Sequence, residues 1–517
     1  MNRTAPVRAL IRAWESGSVV PTATWRRTVL ERAIEWTRPE RLVMLAAVGM
    51  PLAIYVATLI PTVNFGDWAE MQTVPRVLGI AHPTGYPTYT LVGHLFSYLP
   101  LGSVAYRANL LSAVSISVGL GILAVTMMRL GVRPLIAYGI TLALAAVSSV
   151  WRSATRADPH ALQFLLAALI VHRLVVWEQD RRPRDLLLGA LLLGVSLGNH
   201  VLTLLMAPVV VAYALWVGRR ELIARPLLAP MAGMCFAAGA LVYAYIPLRS
   251  AFGAPEIFDG PTDWENFWSL VSGAQFRATS LFEAQSAITF VAKLPDWIAL
   301  VVNQGTVAFA VLAVLGLLML LDRERAFALF SAALVTVNVF VFANWISADL
   351  DRYLFASWII LAIWAAVAAE RIVSDAPKRA APLAALLVVI PAMLLVVNWP
   401  QLDESRNDQG ERFKEHMFRQ LPENAALFTI WDAATPLWYG QLIDGQRTDV
   451  TIRTGLGLTE EMVRERPVYV LHLFDDWLVP LREQYLLVPQ SEVDLPFGST
   501  RATHRRALER VEALPAT

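Results

Sequence analysis

The feature that most constrains this chain is a series of apolar runs, such as 110–128, that are long enough to cross a bilayer, which takes about 20 residues per helix. Lipid offers backbone polar groups no partners, so such runs must be helices that satisfy their own hydrogen bonds. Hydrophobic residues make up 56% of the 517 and charged residues 16%, with a mean hydropathy of +0.50. A soluble domain is roughly a quarter charged. The chain is therefore read as a polytopic membrane protein. Its net charge of +1 argues against nucleic acid as a partner, which needs a basic face. The single cysteine, Cys235, lies in an apolar run, so neither a disulfide framework nor a thiolate metal site is expected.

About eleven helices are expected, near 42–61, 106–129, 134–151, 160–177, 185–199, 200–217, 227–247, 298–321, 327–345, 353–370 and 381–398. The stretch 185–217 reads either as two helices or as one long broken one. With the N-terminus inside, Arg129/Arg133, Arg181/Arg182/Arg184, Arg219/Arg220/Arg225, Arg323/Arg325 and Arg371/Lys378/Arg379 all fall on inside loops, as the positive-inside bias requires. An odd helix count then places the C-terminus outside. Residues 1–41 form a basic cytoplasmic segment, too long for the n-region of a cleaved signal. Its stretch 24–41 is either a helix lying on anionic lipid or a polar tail. Residues 42–398 are the membrane part. In 399–517, strand-like "NAALFTI", "RTDVTIR" and "PVYVLHLF" alternate with helical segments, the pattern of a small extracytoplasmic α/β domain with a parallel sheet. Asp432 and Asp475 follow strands there, as ligand-binding acids or as caps.

Ionisable groups are costly at membrane depth and tend to mark function. Here they collect in loops on one side. The first outer loop reads "GDWAEMQTVPRVLGIAHPTGYPTYTLVGHLF" (66–96), with Asp67, Glu70, Arg76, His82 and His94. Pro83, Gly85 and Pro87 suit a rigid turn. Further loops carry "WRSATRADPH" (151–160), "GNH" (198–200), "WENFWSLVSGAQF" (264–276) and "DLDRY" (349–353). Trp264, Phe267 and Trp268 have the spacing of an amphipathic interfacial helix. His82, His94, His160 and His200 are scattered, without a ligand spacing such as His-Glu-x-x-His. Asp349 and Asp351 resemble an Asp-x-Asp metal motif, against which stands a salt bridge to Arg352 or a helix cap.

The stretch "GDWAE…LGIAHPTGYPTYTLVGHLFSYLPLGSVAYRANLLSAV" resembles the signature of a membrane family first catalogued as domain of unknown function 2723. That family includes the transmembrane-protein-260-like protein O-mannosyltransferases of the GT-C glycosyltransferase superfamily. "SLGNHVLTLL" (196–205), "YAYIPLRS" (243–250), "WENFWSLVSGAQF" and "DLDRY" extend the resemblance over about 42–400. It implies a GT-C fold and a polyprenyl-phosphate-linked sugar donor used at the outer or lumenal face of the membrane. The many Arg and Ala and few Lys point to a high-GC bacterium, which places the chain in the inner membrane with its active site on the periplasmic or extracellular side. The resemblance also implies Asp67 as catalytic base, with Glu70 as the second acid. Two departures stand out. The family usually reads Asp-Ser-Gly-Glu where this chain reads Asp67-Trp68-Ala69-Glu70. Relatives often carry Glu after the third helix, where this chain has Asp158-Pro159.

Glycosyl transfer from a lipid phosphate needs a carboxylate within reach of the acceptor hydroxyl and a cation for the leaving phosphate, a task suited to the bidentate Arg. Asp67 and Glu70 are the candidate catalytic residues, and Arg249, Arg156 and Arg107 the candidate phosphate ligands. His82, Tyr86, Asn199, His200 and Gln275 are the candidate substrate contacts. Glu70 has an alternative partner in Arg76. With Arg at the phosphate no metal is required, and Asp349/Asp351 is the alternative should one bind. The expected protein is an inverting transferase that moves a sugar, mannose by resemblance, to Ser/Thr of an exported protein. A lipid flippase would instead show inverted repeats and acids within its helices. A scaffold presenting the C-terminal domain is the third reading.

Overall fold

A computed structural model describes residues 36–255, 261, 263–274, 287–344, 350–375, 380–496 and 503–514. Two compact units are distinguished, Met1–Leu42 and Val43–Thr517, and the account below concerns the second. The expectation for 24–41 lies largely outside the described residues, and Gln275 and Asp349 lie outside them entirely.

Each expected membrane segment is helical. Among the described residues, seven helices are long and apolar enough to cross a membrane, and nine if two bent pairs each count as one span. The bent pairs correct the expectation of continuous helices at 134–151 and 298–321. Pro134–Ala145 and Ser148–Ala154 meet at 74°, and Val291–Gly305 and Val307–Arg323 at 116°. The causes are local. Val147 is extended (ψ 133°) between the first pair. Thr306 has φ 86° between the second, and its hydroxyl accepts from the Phe309 N–H at 3.3 Å to start a new helix. Pro183–Leu197 and Thr203–Ala224 are separate helices, which settles the alternative at 185–217. At 15 residues, the first of these is short for a span.

Val104–Arg129 is the central membrane helix, with 89% of its apolar window buried. It lies against Pro159–Asp180 so closely that a Cβ on Gly119 would come 2.6 Å from the Phe164 ring. Between 264 and 272, Phe267 is buried with Ile80, Ile246 and Leu270, while Trp264 and Trp268 face outward. That is the arrangement of an aromatic membrane-interface anchor.

The C-terminal region contains a five-stranded sheet in the order β2-β1-β3-β5-β4, formed by β1 (Ala426–Thr429), β2 (Thr451–Thr454), β3 (Val468–Leu471), β4 (Tyr485–Pro496) and β5 (Thr503–Ala513). β1 pairs parallel with β2 and β3, the part that the strand–helix alternation predicts. β1 and β3 are buried along their whole length, as central parallel strands are. The antiparallel β4–β5 ribbon beside β3 is an addition.

This region packs on the first loop. Phe65 enters its core edge-on to Phe413, ring centroids 5.4 Å apart, a burial of about 1.5–3 kcal/mol. The Ala105 N–H donates to the Tyr439 hydroxyl at 3.2 Å. A Cβ on Gly410 would stand 2.3 Å from the Val63 carbonyl.

Candidate active site

The loop after the first membrane helix folds into helices of its own. Gly66–Val77 carries Asp67 in its first turn and Glu70 three residues on, which sets both acids on one side. The helix ends at Leu78 in the left-handed conformation. There the Arg249 Nε donates to the Leu78 carbonyl at 2.7 Å and the Tyr245 hydroxyl to the Gly79 carbonyl at 2.7 Å. The chain then turns back through Gly85 (φ 84°) and Tyr86 (φ 44°), with the Gly85 N–H donating to the His82 carbonyl at 2.8 Å. Glycine suits the first of these positions because positive φ costs it nothing.

That return delivers His82 to Glu70. The His82 N–H donates to Glu70 Oε1 at 2.7 Å, and His82 Nδ1 bonds Glu70 Oε2. The Tyr86 hydroxyl lies 3.2 Å from His82 Nε2. Glu70 therefore pairs with His82, and Arg76 instead covers the Tyr98 ring, 4.5 Å from its centroid. Burial opposes the imidazolium, but the Glu70 and Asp67 carboxylates outweigh it and raise His82 to about 9.

Asp67 is half-buried, with 41% of its side-chain surface accessible. Its Oδ1 accepts from the Trp431 indole N–H at 3.1 Å, and its Oδ2 lies 3.6 Å from an Arg352 nitrogen. Burial pushes the carboxyl up; His82, Arg352 and the Trp431 bond outweigh that and hold it below the usual aspartate range. Among the described residues, Asp67, Glu70 and His82 also place one ligand atom each within 4.8 Å of one another. The scattered histidines of the sequence do not predict this grouping.

Beside Asp67 lies a small recess lined by Trp68, Ser149, Arg152, Ser153, Arg156, Asp158, Asp351 and Arg352. Arg156 pairs with Glu404 at 3.0 Å and stacks 4.5 Å from the Trp68 centroid. The Ser149 hydroxyl is buried without a partner among the described residues. Asp158 caps Pro159–Asp180, accepting from both the N–H and Nδ1 of His160 at 2.9 Å. The His160 ring packs on His200 at 4.4 Å and Tyr353 at 4.7 Å, and His200 on Tyr86 at 5.6 Å. An aromatic wall thus connects the recess to His82.

The remaining candidates divide. Arg107 is committed to backbone: its guanidinium donates to the carbonyls of Ser97, Leu99 and Ser103 at 2.6–3.0 Å. It does not line the recess beside Asp67. The neighbouring Asn109 donates to the Ile60 carbonyl at 2.8 Å, and the Asp158 N–H to the Ser112 hydroxyl at 3.0 Å. The Arg-x-Asn-Leu-Leu-Ser part of the signature therefore shapes the loop. Arg249 supports the turn at Leu78 and does not line the recess. Asn199 donates to the Pro159 carbonyl at 3.0 Å and Gln163 at 3.1 Å, holding the turn that presents His200. Asp432 lies in the first turn of its helix, and Asp475 is 3.7 Å from Arg482. Arg352, Arg152, Ser149 and Trp431 are the site residues that sequence reasoning passed over. Arg352 lies in "DLDRY", directly after the Asp-x-Asp pair. Trp431, 364 positions from Asp67, left no local signal.

The fold defines the class: a polytopic helical membrane protein with a small C-terminal α/β region. Two solved structures share it, both ArnT from Cupriavidus metallidurans. The apo state gives a TM-score of 0.59 at 14% identity, covering 90% of this chain and 97% of that one. The state bound to undecaprenyl phosphate gives 0.56 at 14% identity with the same coverage. Residues 67–223 match the family model described as Protein O-mannosyl-transferase TMEM260 N-terminal domain. The Protein O-mannosyl-transferase TMEM260 of Mus musculus is 24% identical over 433 residues, 77% of this chain. The match spans 60% of the mouse protein's length. The resemblance carried by the first-loop signature is thus found again along most of the chain.

Proposed function

We propose that this protein is an inverting glycosyltransferase that moves a sugar, mannose, from a polyprenyl-phosphate donor to a Ser/Thr hydroxyl of an exported protein. The chemistry takes place at the outer face of the cytoplasmic membrane. The observation that carries this reading is the juxtaposition of an accessible carboxylate with an arginine-lined recess, Arg352 contributing to both.

In the proposed step the acceptor O–H gives its proton to Asp67 as its oxygen bonds the anomeric carbon. The bond from that carbon to the phosphate oxygen breaks, and polyprenyl phosphate leaves with the electron pair. A single displacement inverts the anomeric centre. Arg156 and Arg352, with Arg152, meet the charge on the leaving phosphate, and the unpartnered Ser149 hydroxyl supplies a neutral donor. These arginines take the part a metal would otherwise play. Glu70 holds His82, which lies with Tyr86 and His200 on the aromatic wall that would face the sugar. The names of the relatives support the acceptor and the sugar. The ArnT structure with undecaprenyl phosphate supports the class of donor lipid.

The test is transfer from synthetic polyprenyl-phosphate-mannose to a Ser/Thr peptide by purified protein in detergent, with Asp67→Asn alongside. Mannosyl peptide of inverted configuration from wild type alone supports the reading. Undiminished transfer by Asp67→Asn removes the base. Lipid movement across vesicles without any sugar transfer would favour a flippase.

A further inference from the structure

We propose that Trp431 is a positioning residue for Asp67, so that the C-terminal α/β region completes the catalytic centre. The inference rests on the reading of Asp67 as the base. Two donors address its carboxylate. Arg352, at 3.6 Å from Oδ2, supplies charge at a distance too long to define an angle. The Trp431 indole N–H, at 3.1 Å from Oδ1, supplies direction. A base acts only within a narrow range of orientations toward the acceptor, and a carboxylate on a short side chain otherwise rotates about its last bond.

The donor itself is held. The Trp431 ring stands edge-on to His82 at 6.1 Å and to Trp438 at 5.6 Å. Its helix, Trp431–Leu442, is fixed against the first loop at both ends. At one end Gly66 (φ 55°) lies so close to Asp432 that a Cβ would come 2.3 Å from Oδ1. At the other the Tyr439 hydroxyl accepts from the Ala105 N–H. The same contact lowers the carboxyl's proton affinity, which keeps Asp67 ionised while leaving one oxygen for the acceptor.

Trp431→Phe in the full-length protein keeps the ring and removes the N–H. With polyprenyl-phosphate-mannose and a Ser/Thr peptide, kcat should fall roughly tenfold, the scale of a hydrogen bond to a charged group. The acid limb of the pH profile should move to higher pH, with KM for the donor unchanged. Trp438→Phe keeps a ring against Trp431 and loses an N–H that reaches the Ile452 carbonyl at 3.4 Å; it should lose less rate than Trp431→Phe and keep the wild-type pH profile. Independently of turnover, the 15N-indole resonance lost in Trp431→Phe should shift in Asp67→Asn. An unmoved resonance in Asp67→Asn overturns the contact, and an unmoved pH profile in Trp431→Phe overturns its role. Equal losses in both tryptophan variants reduce Trp431 to general packing. Full transfer by Asp67→Asn, with the resonance shifted, instead overturns the base assignment and leaves the contact standing.

Discussion

Glu70 grips His82 with both carboxylate oxygens, one on the backbone N–H at 2.7 Å and one on Nδ1, and its side chain has no exposed surface. A buried carboxylate demands such a partner, because breaking the pair strands a charge at a cost of about 3–5 kcal/mol. Glu70 thus fixes the His-Pro-x-Gly-Tyr-Pro turn, and its removal should be felt as instability before it is felt as lost chemistry. Glu70→Gln is expected to lower the thermal midpoint in detergent and to return the His82 titration toward 6.5. NMR of the histidine ring protons reads the second effect.

The same pair makes stability pH-dependent. His82 is raised to about 9 from an unfolded value near 6.5, so its contribution is fully present below about pH 6.5. It is lost as pH rises through 9. The side chain is only 12% exposed, and linkage puts the contribution on the order of 3 kcal/mol. Thermal midpoints measured from pH 6 to 10 should fall across that window in wild type and stay flat in His82→Gln. Parallel curves would show that His82 is not held as an imidazolium.

Asp67 is held below the ordinary aspartate range, so the base stays ionised until the pH drops beneath about 4. Transfer should persist undiminished through mildly acidic conditions. Asp67→Asn keeps an oxygen for the Trp431 indole but removes the proton acceptor. Loss of general-base action is worth roughly 10²–10⁴ in rate. Single-turnover measurement with saturating donor should show that loss with donor affinity retained, and an equal fall in affinity would place Asp67 at the donor phosphate instead.

The arginines separate by location. Arg352→Gln and Arg156→Gln each remove a charge from the recess beside Asp67 and should weaken polyprenyl phosphate binding by about 10–100-fold. Arg107→Gln, which releases the carbonyls of Ser97, Leu99 and Ser103, should lower the melting temperature without changing the affinity of the remaining folded protein. Titration of detergent-solubilised variants with a fluorescent polyprenyl phosphate distinguishes the two outcomes. Wild-type affinity in both recess variants would move the donor phosphate elsewhere.

Legibility in the sequence followed the range of the interactions. The membrane helices were readable because about 20 apolar residues leave a chain few choices in lipid. The parallel β1–β2–β3 unit was readable because its strands alternate with helices. Asp67, Glu70 and His82 sit within one short stretch, so the loop announced itself. The breaks at Val147 and Thr306 were hidden, since one residue with altered backbone angles hardly changes an apolar run. Arg107 and Arg352 could not be told apart by charge. The loop carbonyls around one and the carboxylate beside the other, which decide their roles, appear only in three dimensions. Trp431 was beyond reach for the same reason, its partner lying on the far side of the membrane segment in sequence.

Gly66 tests whether the C-terminal region must sit tightly on the first loop. Its φ of 55° is unfavourable for any residue with a Cβ, and that Cβ would meet Asp432 Oδ1 at 2.3 Å. The carboxylate can swing aside, but the backbone strain, roughly 1–2 kcal/mol, cannot be relieved in the same way. Gly66→Ala should therefore lower the melting temperature and, by tilting the start of the helix that carries Asp67, depress transfer more than donor binding. Adding Asp432→Ala should restore part of the loss by clearing space and leave the share due to φ. Melting curves and transfer rates of the single and double variants measure those two shares. Full recovery in the double variant would assign the whole effect to the side-chain clash, and a neutral Gly66→Ala would mean that the two helices meet loosely and that Asp67 is oriented from the membrane side alone.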